Sequence, residues 1–162
     1  MTETRRSSSV DRSRPSAFDF ALARLAQRAH SEKELSVKLA RAKYSATEIE
    51  LALESLRSRR YLDDRAYAAS FAERAVELKL WGPDRIRRAL AERGLPGEYV
   101  ESALMRAFPE GEKPVIARAL SRFSRRQRSE HLESRDRRQR AYRYLFARGY
   151  SPEAIRAALK GT

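Results

Sequence analysis

The sequence predicts an all-α protein built from three tandem three-helix repeats of helix-turn-helix type, arranged as an elongated, curved array. The main observation is a pattern that occurs three times. In each copy, two apolar residues lie four positions apart and a turn residue follows after four more. Two further apolar residues lie six and ten positions beyond the turn. The copies are Leu35, Leu39, Lys43, Ile49 and Leu53; Ile86, Leu90, Gly94, Val100 and Leu104; and Ala141, Leu145, Gly149, Ile155 and Leu159.

Composition supports the same fold class. Ala, Leu, Arg and Glu dominate the 162 residues, with six Gly and six Pro, which favours helices. Cysteine is absent, which excludes a disulfide framework and a thiolate metal site. No apolar run reaches the roughly 18 residues that a membrane span needs. We therefore expect a cytoplasmic protein without membrane association or cofactor.

Composition shifts and turn signals divide the chain. Residues 1–16 are rich in Ser and Arg and poor in apolar side chains, which is typical of a disordered tail. The three predicted repeats span residues 17–62, 63–108 and 109–162. In the first repeat we predict helices over 18–29, from a capping box at Ser31 and Glu34 to about residue 43, and from a second box at Ser45 and Glu48 to about residue 60.

The later repeats carry matching signals. Asp63 is placed to cap the first helix of the second repeat, Gly82 and a following proline start its second helix, and Gly94 ends that helix. Residues 96–108 supply the third helix. In the third repeat, Pro114 starts a helix, a charged connection covers 129–134, a second helix runs to residue 149, and Ser151 caps the last helix.

The net charge of +13 is unevenly distributed. Residues 1–17 and 18–63 each carry +2 and residues 64–108 carry +1, whereas residues 109–162 carry +8 from 14 basic and 6 acidic side chains. Balanced charge runs are usually solvated helix faces. An excess of this size on one repeat more often serves a polyanion, so we predict that the third repeat contacts one.

A pair of arginines recurs in the second and third repeats. When the apolar stripe of the second helix faces inward, a rotation of about 100° per residue turns Arg85 and Arg88 outward. Their counterparts 55 residues on are Arg140 and Arg143. Three further arginines extend the positive stretch and are candidates for phosphate contacts: Arg125, Arg126 and Arg128. The alternative for all seven is an ordinary solvated face.

Other polar residues have structural interpretations. Asp63 and Asp64 precede a helix, where an N-cap and a favourable acidic residue are expected rather than a metal or acid–base pair. His30 and His131 are isolated and are interpreted as non-catalytic. The sequence has no Gly-rich phosphate loop, metalloprotease motif or nucleophile elbow, so no enzyme is predicted.

Three aromatic residues stand near cations. Trp81 is interpreted as a packing anchor at a helix joint, with base stacking as the alternative. Tyr142 and Tyr144 alternate with arginines, which suits stacking on DNA bases. A structural role is expected for at least one of these two tyrosines.

Three segments carry a family resemblance. Residues 28–35 (RAHSEKEL) resemble the R-x-x-S-x-x-E-L opening of the RecX family of recombination regulators, and residues 61–68 (YLDDRAYA) resemble its Y-L-D-D-x-x-[FY]-A centre. Residues 79–86 (KLWGPDRI) are similar to its K-x-x-G-x-x-R-I helix. The motif positions implied to be structural are Ser31, Glu34, Leu35, Asp63, Asp64, Gly82 and Gly94. Lys43 departs from the family's usual glycine, so a looser turn is expected there.

The resemblance, which covers residues 18–160, implies a non-enzymatic regulator of the RecA recombinase. Family members bind the RecA–DNA filament, limit its growth and depress strand exchange and ATP turnover. The implied processes are DNA recombination, DNA repair and the SOS response. The implied partners are the RecA filament and single-stranded DNA, with duplex DNA as a further candidate. A monomer without cofactor is expected, and the seven arginines above are the candidate filament- or DNA-binding residues.

Two other classes of function remain open. The alternative function is a basic helix-turn-helix-like protein that binds DNA directly without RecA. The helices that would enter the major groove carry carboxylates in the first two repeats, which disfavours groove reading there: Glu48, Glu50, Glu54, Glu98 and Glu101. A pure protein-interaction scaffold fits the array but leaves the charge of the third repeat unexplained.

Overall fold

The computed structural model describes residues 14–126 and 134–160, and these residues form nine α-helices and no strand. The helices are α1 (Ala17–Gln27), α2 (Glu32–Arg41), α3 (Ala46–Ser58), α4 (Asp64–Lys79), α5 (Pro83–Glu92), α6 (Gly97–Ala107), α7 (Lys113–Arg126), α8 (Ser134–Ala147) and α9 (Pro152–Lys160). The predicted all-α class is confirmed. The elongated, curved array stays a prediction. Most of the expected tail, together with His131 and Arg128, lies outside the described residues.

The helices form two compact units. The first comprises the described part of residues 1–30 together with 34–62. In it α1 packs against α3, and the second helix closes the core. The buried residues of this core are Ala17, Ala21, Leu35, Leu39, Tyr44, Ala52, Leu53, Leu56 and Leu62.

The second unit comprises residues 31–33 and the described part of 63–162. Here α4 packs on α6, and α7, α8 and α9 pack on one another. One continuous core takes residues from both groups, so the second and third predicted repeats share their interior. Its largest fully buried side chains are Ile86, Leu90, Ile116, Leu145, Tyr150 and Ile155. The predicted boundary at 108 and 109 falls in the loop between α6 and α7.

The repeated apolar pattern provides much of both cores. Ten of its twelve apolar positions are buried, and only Ile49 and Leu159 are half-buried. Burial of a Leu or Ile side chain stabilises a fold by roughly 1.5–3 kcal/mol. The pattern is therefore a core pattern, as the helical spacing predicts.

The second helix of each repeat ends in the same Schellman turn. The residue after the turn residue donates its N–H to the carbonyl five positions back, and the turn residue donates to the carbonyl three positions back. The turn residues adopt the left-handed conformation, with φ of 63° at Lys43, 77° at Gly94 and 84° at Gly149. The expectation of a looser turn at Lys43 is wrong, because the lysine adopts the geometry that glycine provides in the other two repeats.

The turn at Lys43 receives an additional cap from the chain before α1. The Arg14 guanidinium donates to the carbonyls of Ala42 and Lys43 and lies 3.6 Å from the centroid of the Tyr44 ring. The Tyr44 hydroxyl donates to the Pro15 carbonyl at 2.7 Å. Arg14 thus satisfies carbonyl groups that the end of a helix leaves without an intrahelical partner.

In the second unit, the N-terminal end of α5 meets the C-terminal end of α8. The Gly82 N–H donates to the Arg148 carbonyl at 2.8 Å, and the Asp84 N–H donates to the Gly149 carbonyl at 3.0 Å. The two helix ends therefore satisfy each other's unpaired groups, with their dipoles in favourable order. A Cβ on Gly149 would lie 2.4 Å from the Arg85 nitrogen, and one on Gly82 would lie 2.4 Å from the Gly149 oxygen. This close approach explains why both positions are glycine.

An equivalent contact joins the start of α2 to the end of α5, and its residues also belong to the second unit. Ser31 occupies the repeat position of Gly82, and its hydroxyl donates to the carbonyl of Arg93 at 2.7 Å. Arg93 in turn occupies the position of Arg148. The Glu32 N–H donates to a carboxylate oxygen of Asp64 at 2.9 Å. The side chains of the family-motif residues Ser31 and Asp64 thus form hydrogen bonds with backbone groups at helix ends.

Several predicted caps are confirmed. Ser45 and Glu48 form a complete capping box at α3. The Asp63 carboxylate accepts from the Ala66 N–H at 2.9 Å, and the Ser151 hydroxyl accepts from the Ala154 N–H at 3.2 Å. Each cap stabilises its helix by about 1 kcal/mol.

Replacing Lys43 with glycine should stabilise the first unit. A non-glycine residue in the left-handed conformation costs roughly 1–2 kcal/mol, which the substitution would remove. The greater conformational entropy of glycine in the unfolded chain offsets part of that gain in stability. We expect Lys43→Gly to raise the free energy of unfolding by about 0.5–1 kcal/mol, measured by urea denaturation. The control, Lys38→Gly inside α2, should lower it by roughly 0.5–1 kcal/mol. A loss of stability in Lys43→Gly would show that the lysine side chain outweighs the backbone strain.

Candidate nucleic-acid interface

Among the described side chains of the second unit, α8 carries more exposed cations than any other helix. Five arginines of this helix are exposed: Arg135, Arg137, Arg138, Arg140 and Arg143. Within residues 14–126 and 134–160, no carboxylate lies at ion-pair distance from Arg135, Arg138 or Arg143. The helix therefore presents much of its charge to solvent without a bound counter-charge from the described chain.

Of the candidate arginines on α7, only Arg125 has a described side chain, and it is exposed. It lines an open groove of about 700 Å³ that also contains Glu77 and Arg118. The Arg118 guanidinium lies 3.1 Å from the Glu77 carboxylate. Arg126 ends α7, and nothing is described of its side chain. The positive charge at this groove is thus partly neutralised.

The structure separates the two arginines of α5. Arg88 is exposed and donates only locally, from Nε to the Asp84 carbonyl at 3.3 Å. Arg85 is half-buried, donates to the Ala147 carbonyl at 3.0 Å, and lies 4.3 Å from the Trp81 ring centroid. Arg85 therefore fastens the end of α8 to α5. Helical rotation alone does not reveal this partner.

The aromatic candidates also take different positions. Trp81 is half-buried, with its ring centroid 6.3 Å from that of Phe71, which confirms a packing anchor. Tyr144 is half-buried 5.0 Å from the Phe123 ring, and the guanidinium of Arg148 lies 3.9 Å from its centroid. Tyr144 thus has a structural role. Tyr142 also packs against the core on one side, and it lines a groove.

This groove, between α8 and α9, is the site that the sequence did not indicate. It is open, has a volume of about 470 Å³, and is lined by Arg135, Arg138, Gln139, Tyr142, Arg156, Leu159 and Lys160. The lining thus combines four cations with one aromatic ring. We name it the α8–α9 groove. The signal in the sequence is the helical spacing of 135, 138, 139, 142 and 146, which lie within an arc of about 100° on α8.

An aromatic pair extends from the α8–α9 groove along α8. The rings of Tyr142 and Phe146 lie 6.2 Å apart with an interplanar angle of 12°. Phe146 is 55% exposed. Arg140 and Arg143 lie outside the arc that contains this pair and do not line the groove.

The helices that correspond to major-groove readers carry exposed acids. Glu48, Glu50 and Glu54 on α3 and Glu98 and Glu101 on α6 are all exposed. Glu101 accepts from Arg87 at 2.8 and 3.2 Å, and this hydrogen bond holds the pKa of its carboxyl below the usual value. The bond from the backbone N–H of Ser45 lowers the pKa of Glu48 in the same way. Both groups are therefore ionised near neutral pH and would repel phosphates.

The remaining family-motif residues serve the fold. Glu34 lies 3.2 Å from the Arg28 guanidinium, and Leu35 is fully buried. His30 is buried, with Nδ1 2.9 Å from the Arg28 carbonyl, and burial lowers the pKa of its imidazole. The described residues contain no group of three or more His, Cys, Asp or Glu side chains that could hold a metal ion. Among them no helix is long and apolar enough to cross a membrane.

Comparison with known proteins identifies relatives over most of the chain. Family models for the first, second and third three-helix domains of RecX match residues 17–56, 63–104 and 116–159. A Regulatory protein RecX from Thermus thermophilus is 37% identical over 134 residues, which cover 83% of each chain. Another from Geobacillus thermodenitrificans is 32% identical over 143 residues, which cover 88% of this chain and 52% of the relative.

Solved structures agree. A crystal structure of a regulatory protein RecX is similar with a TM-score of 0.78 and 26% identity, over 90% of this chain and 72% of that chain. RecX from Lactobacillus salivarius gives a TM-score of 0.77 over 90% of this chain and 93% of that chain. At 19% identity, this second match shows a common fold and nothing more.

The contacts of Arg85 predict a stability difference within α5. Arg85→Ala removes a charged hydrogen bond and a stacked guanidinium, so it should lower the free energy of unfolding by about 1–2 kcal/mol. The matched Arg88→Ala variant should stay within about 0.5 kcal/mol of the parent. Urea denaturation of both variants measures the difference. Equal losses would show that Arg85 does not hold α8 against α5.

Proposed function

Because the chain belongs to the RecX family of regulatory proteins, we propose that it binds the RecA–DNA nucleoprotein filament and inhibits filament growth, ATP hydrolysis and strand exchange. It would thereby regulate recombination and DNA repair, including repair in the SOS response. The observation that carries the proposal is the series of three RecX domains along one chain. No enzymatic step is part of it.

The charge distribution supports a nucleoprotein partner. The third repeat carries +8, and the exposed arginines of α8 include Arg140 and Arg143. These two, with Arg88 and Arg125, are exposed, among those members of the predicted contact set whose side chains the structure describes. Lys and Arg side chains that neutralise phosphates release counterions, so such contacts give salt-dependent affinity. Arg85 belongs to the same set, and its hydrogen bond to α8 suits it to positioning the basic helix.

The repeats also suit a filament. Three domains in tandem can contact successive protomers of a helical polymer, so that several weak contacts add to a high affinity. We propose that the chain acts as a monomer in the cytoplasm, with the repeats bounded near residues 62 and 108 as the sequence predicts. The tail of residues 1–16 would be a tether.

The alternative is direct binding to DNA without RecA. The observation that favours it is the exposed positive charge of α8, which would attract any nucleic acid. The exposed acids of α3 and α6 disfavour insertion of those helices into a major groove. A direct DNA binder would therefore use the third repeat and read phosphates rather than base sequence.

RecA ATP hydrolysis on single-stranded DNA separates the two functions. A filament regulator should inhibit hydrolysis when it is present at a small fraction of the RecA concentration, because one molecule at a growing end affects many protomers. Steady-state ATPase rates are measured while the regulator is titrated at fixed RecA and DNA. Inhibition only when the DNA itself is saturated would contradict the filament proposal and support simple competition for the strand.

Charge reversal on α8 tests the proposed contact residues. The double variant Arg140→Glu with Arg143→Glu should weaken the inhibition of RecA by at least tenfold in half-inhibitory concentration, since two contacts of about 1 kcal/mol or more become repulsive. The control, Arg41→Glu with Arg74→Glu, makes the same change in net charge at two other exposed arginines. Circular dichroism checks that both variants remain helical. Equal inhibition by the α8 variant and the parent would remove these residues from the interface.

A further inference from the structure

We propose that the α8–α9 groove is a binding site for single-stranded nucleic acid, in which bases stack on Tyr142 and Phe146 while the surrounding cations bind phosphates. The inference deepens the proposed function, on which it rests for the presence of a DNA strand, by assigning one face of α8 to that strand. Arg140 and Arg143 do not line the groove.

The aromatic pair is built as a stacking surface. Tyr142 and Phe146 are four residues apart, and their rings are nearly parallel at 12°. Tyr142 packs against the core of the second unit from one side, which fixes its position. Phe146 is 55% exposed although it is among the most hydrophobic side chains. The half-buried Tyr142 and the exposed Phe146 thus offer aromatic surface to water, on which a stacked base gains about 1–3 kcal/mol.

The cations are placed to hold a backbone beside these rings. Arg135 and Arg138 lie on α8 one to two turns before Tyr142, and Arg156 and Lys160 line the facing side on α9. Arg156 is paired with Glu153 at 2.8 Å, but the side chains are 57% and 77% exposed. Such an exposed pair contributes little and is readily exchanged for a phosphate. The residues that line the groove include four cations and no carboxylate.

The chemistry of the groove selects a single strand over a duplex or an acidic peptide. Base faces are hidden within a duplex, whereas a single strand exposes them to an aromatic platform. A volume of about 470 Å³ is in the range of pockets that hold small ligands, which suits one or two unstacked bases. An acidic peptide would use the four cations but would gain nothing specific from the aromatic pair. Gln139 adds an amide that can reach a base edge.

The test is fluorescence anisotropy with the full chain, a labelled oligothymidylate and, in parallel, a labelled duplex and a labelled polyglutamate peptide. Phe146→Ala should weaken oligothymidylate binding by about 5- to 150-fold, which corresponds to one lost stacking contact. Phe146→Leu, which keeps the apolar bulk but lacks the ring, should lose a similar part of the affinity. Phe146→Trp, which keeps an aromatic ring, should bind oligothymidylate about as tightly as the parent. The matched control is Tyr61→Ala, which removes an aromatic side chain that is 54% exposed in the first unit. It should change none of the affinities.

A charge variant completes the test. Arg138→Gln should reduce the slope of log affinity against log salt for oligothymidylate by about 0.7, the value for one phosphate contact on a single strand. Unchanged oligothymidylate binding in both Phe146→Ala and Phe146→Leu would overturn the proposal. Equal losses for all three probes in Arg138→Gln, with no effect of Phe146, would identify a general anion surface instead. RecA is absent from this assay, so failure here leaves the filament proposal to stand or fall on the ATPase titration.

Discussion

The pairing of helix ends between α5 and α8 is the interaction on which the second unit depends. The N-terminal N–H groups of one helix and the C-terminal carbonyls of another satisfy each other, through bonds of 2.8 and 3.0 Å. Left in a dry interior, each of these groups would cost roughly 1–3 kcal/mol. The contact requires glycine on both sides, since a Cβ at Gly82 or Gly149 would collide with backbone atoms. A small pair of glycines thus decides how closely the second and third repeats approach.

This pairing also determines what α8 presents to solvent. Arg85 holds the Ala147 carbonyl, and the buried Tyr150 hydroxyl donates to the Leu80 carbonyl at 3.0 Å, with burial raising the pKa of the phenol. Together with the two bonds of the helix-end pairing, four hydrogen bonds therefore fix the end of α8 and the residues that follow it, and Leu145 is fully buried. With its axis and rotation fixed in this way, the helix turns Tyr142 and Phe146 to one flank. Contacts at the C-terminal end of α8 thus help to set the orientation of the exposed candidates along the helix.

Sequence periodicity predicts the buried positions and the turns within one repeat. It does not predict contacts in which the partner residue belongs to another repeat. The positions of Leu39, Leu90 and Leu145 and the turns that follow them come directly from the spacing, because each turn closes on its own helix. Lys43 shows the limit of residue preference, since the hydrogen bonds of a Schellman turn and the Arg14 cap hold a lysine at a φ of 63°. The partner of Arg85 is 62 residues away, and no rotation rule reveals it.

The α8–α9 groove escaped sequence interpretation for the same reason, since its two walls meet only in the folded unit. Several arginines elsewhere in this unit are matched by acids: Arg87 binds Asp84 and Glu101, Arg106 binds Glu73, and Arg118 binds Glu77. On α8, Arg135, Arg138 and Arg143 have no such match in the part of the chain that the structure describes. Neutral pairs cancel at short range, whereas unmatched charges act over a Debye length of about 10 Å at 0.1 M salt. The unmatched arginines of α8 therefore contribute positive potential that a polyanion meets before it contacts this unit.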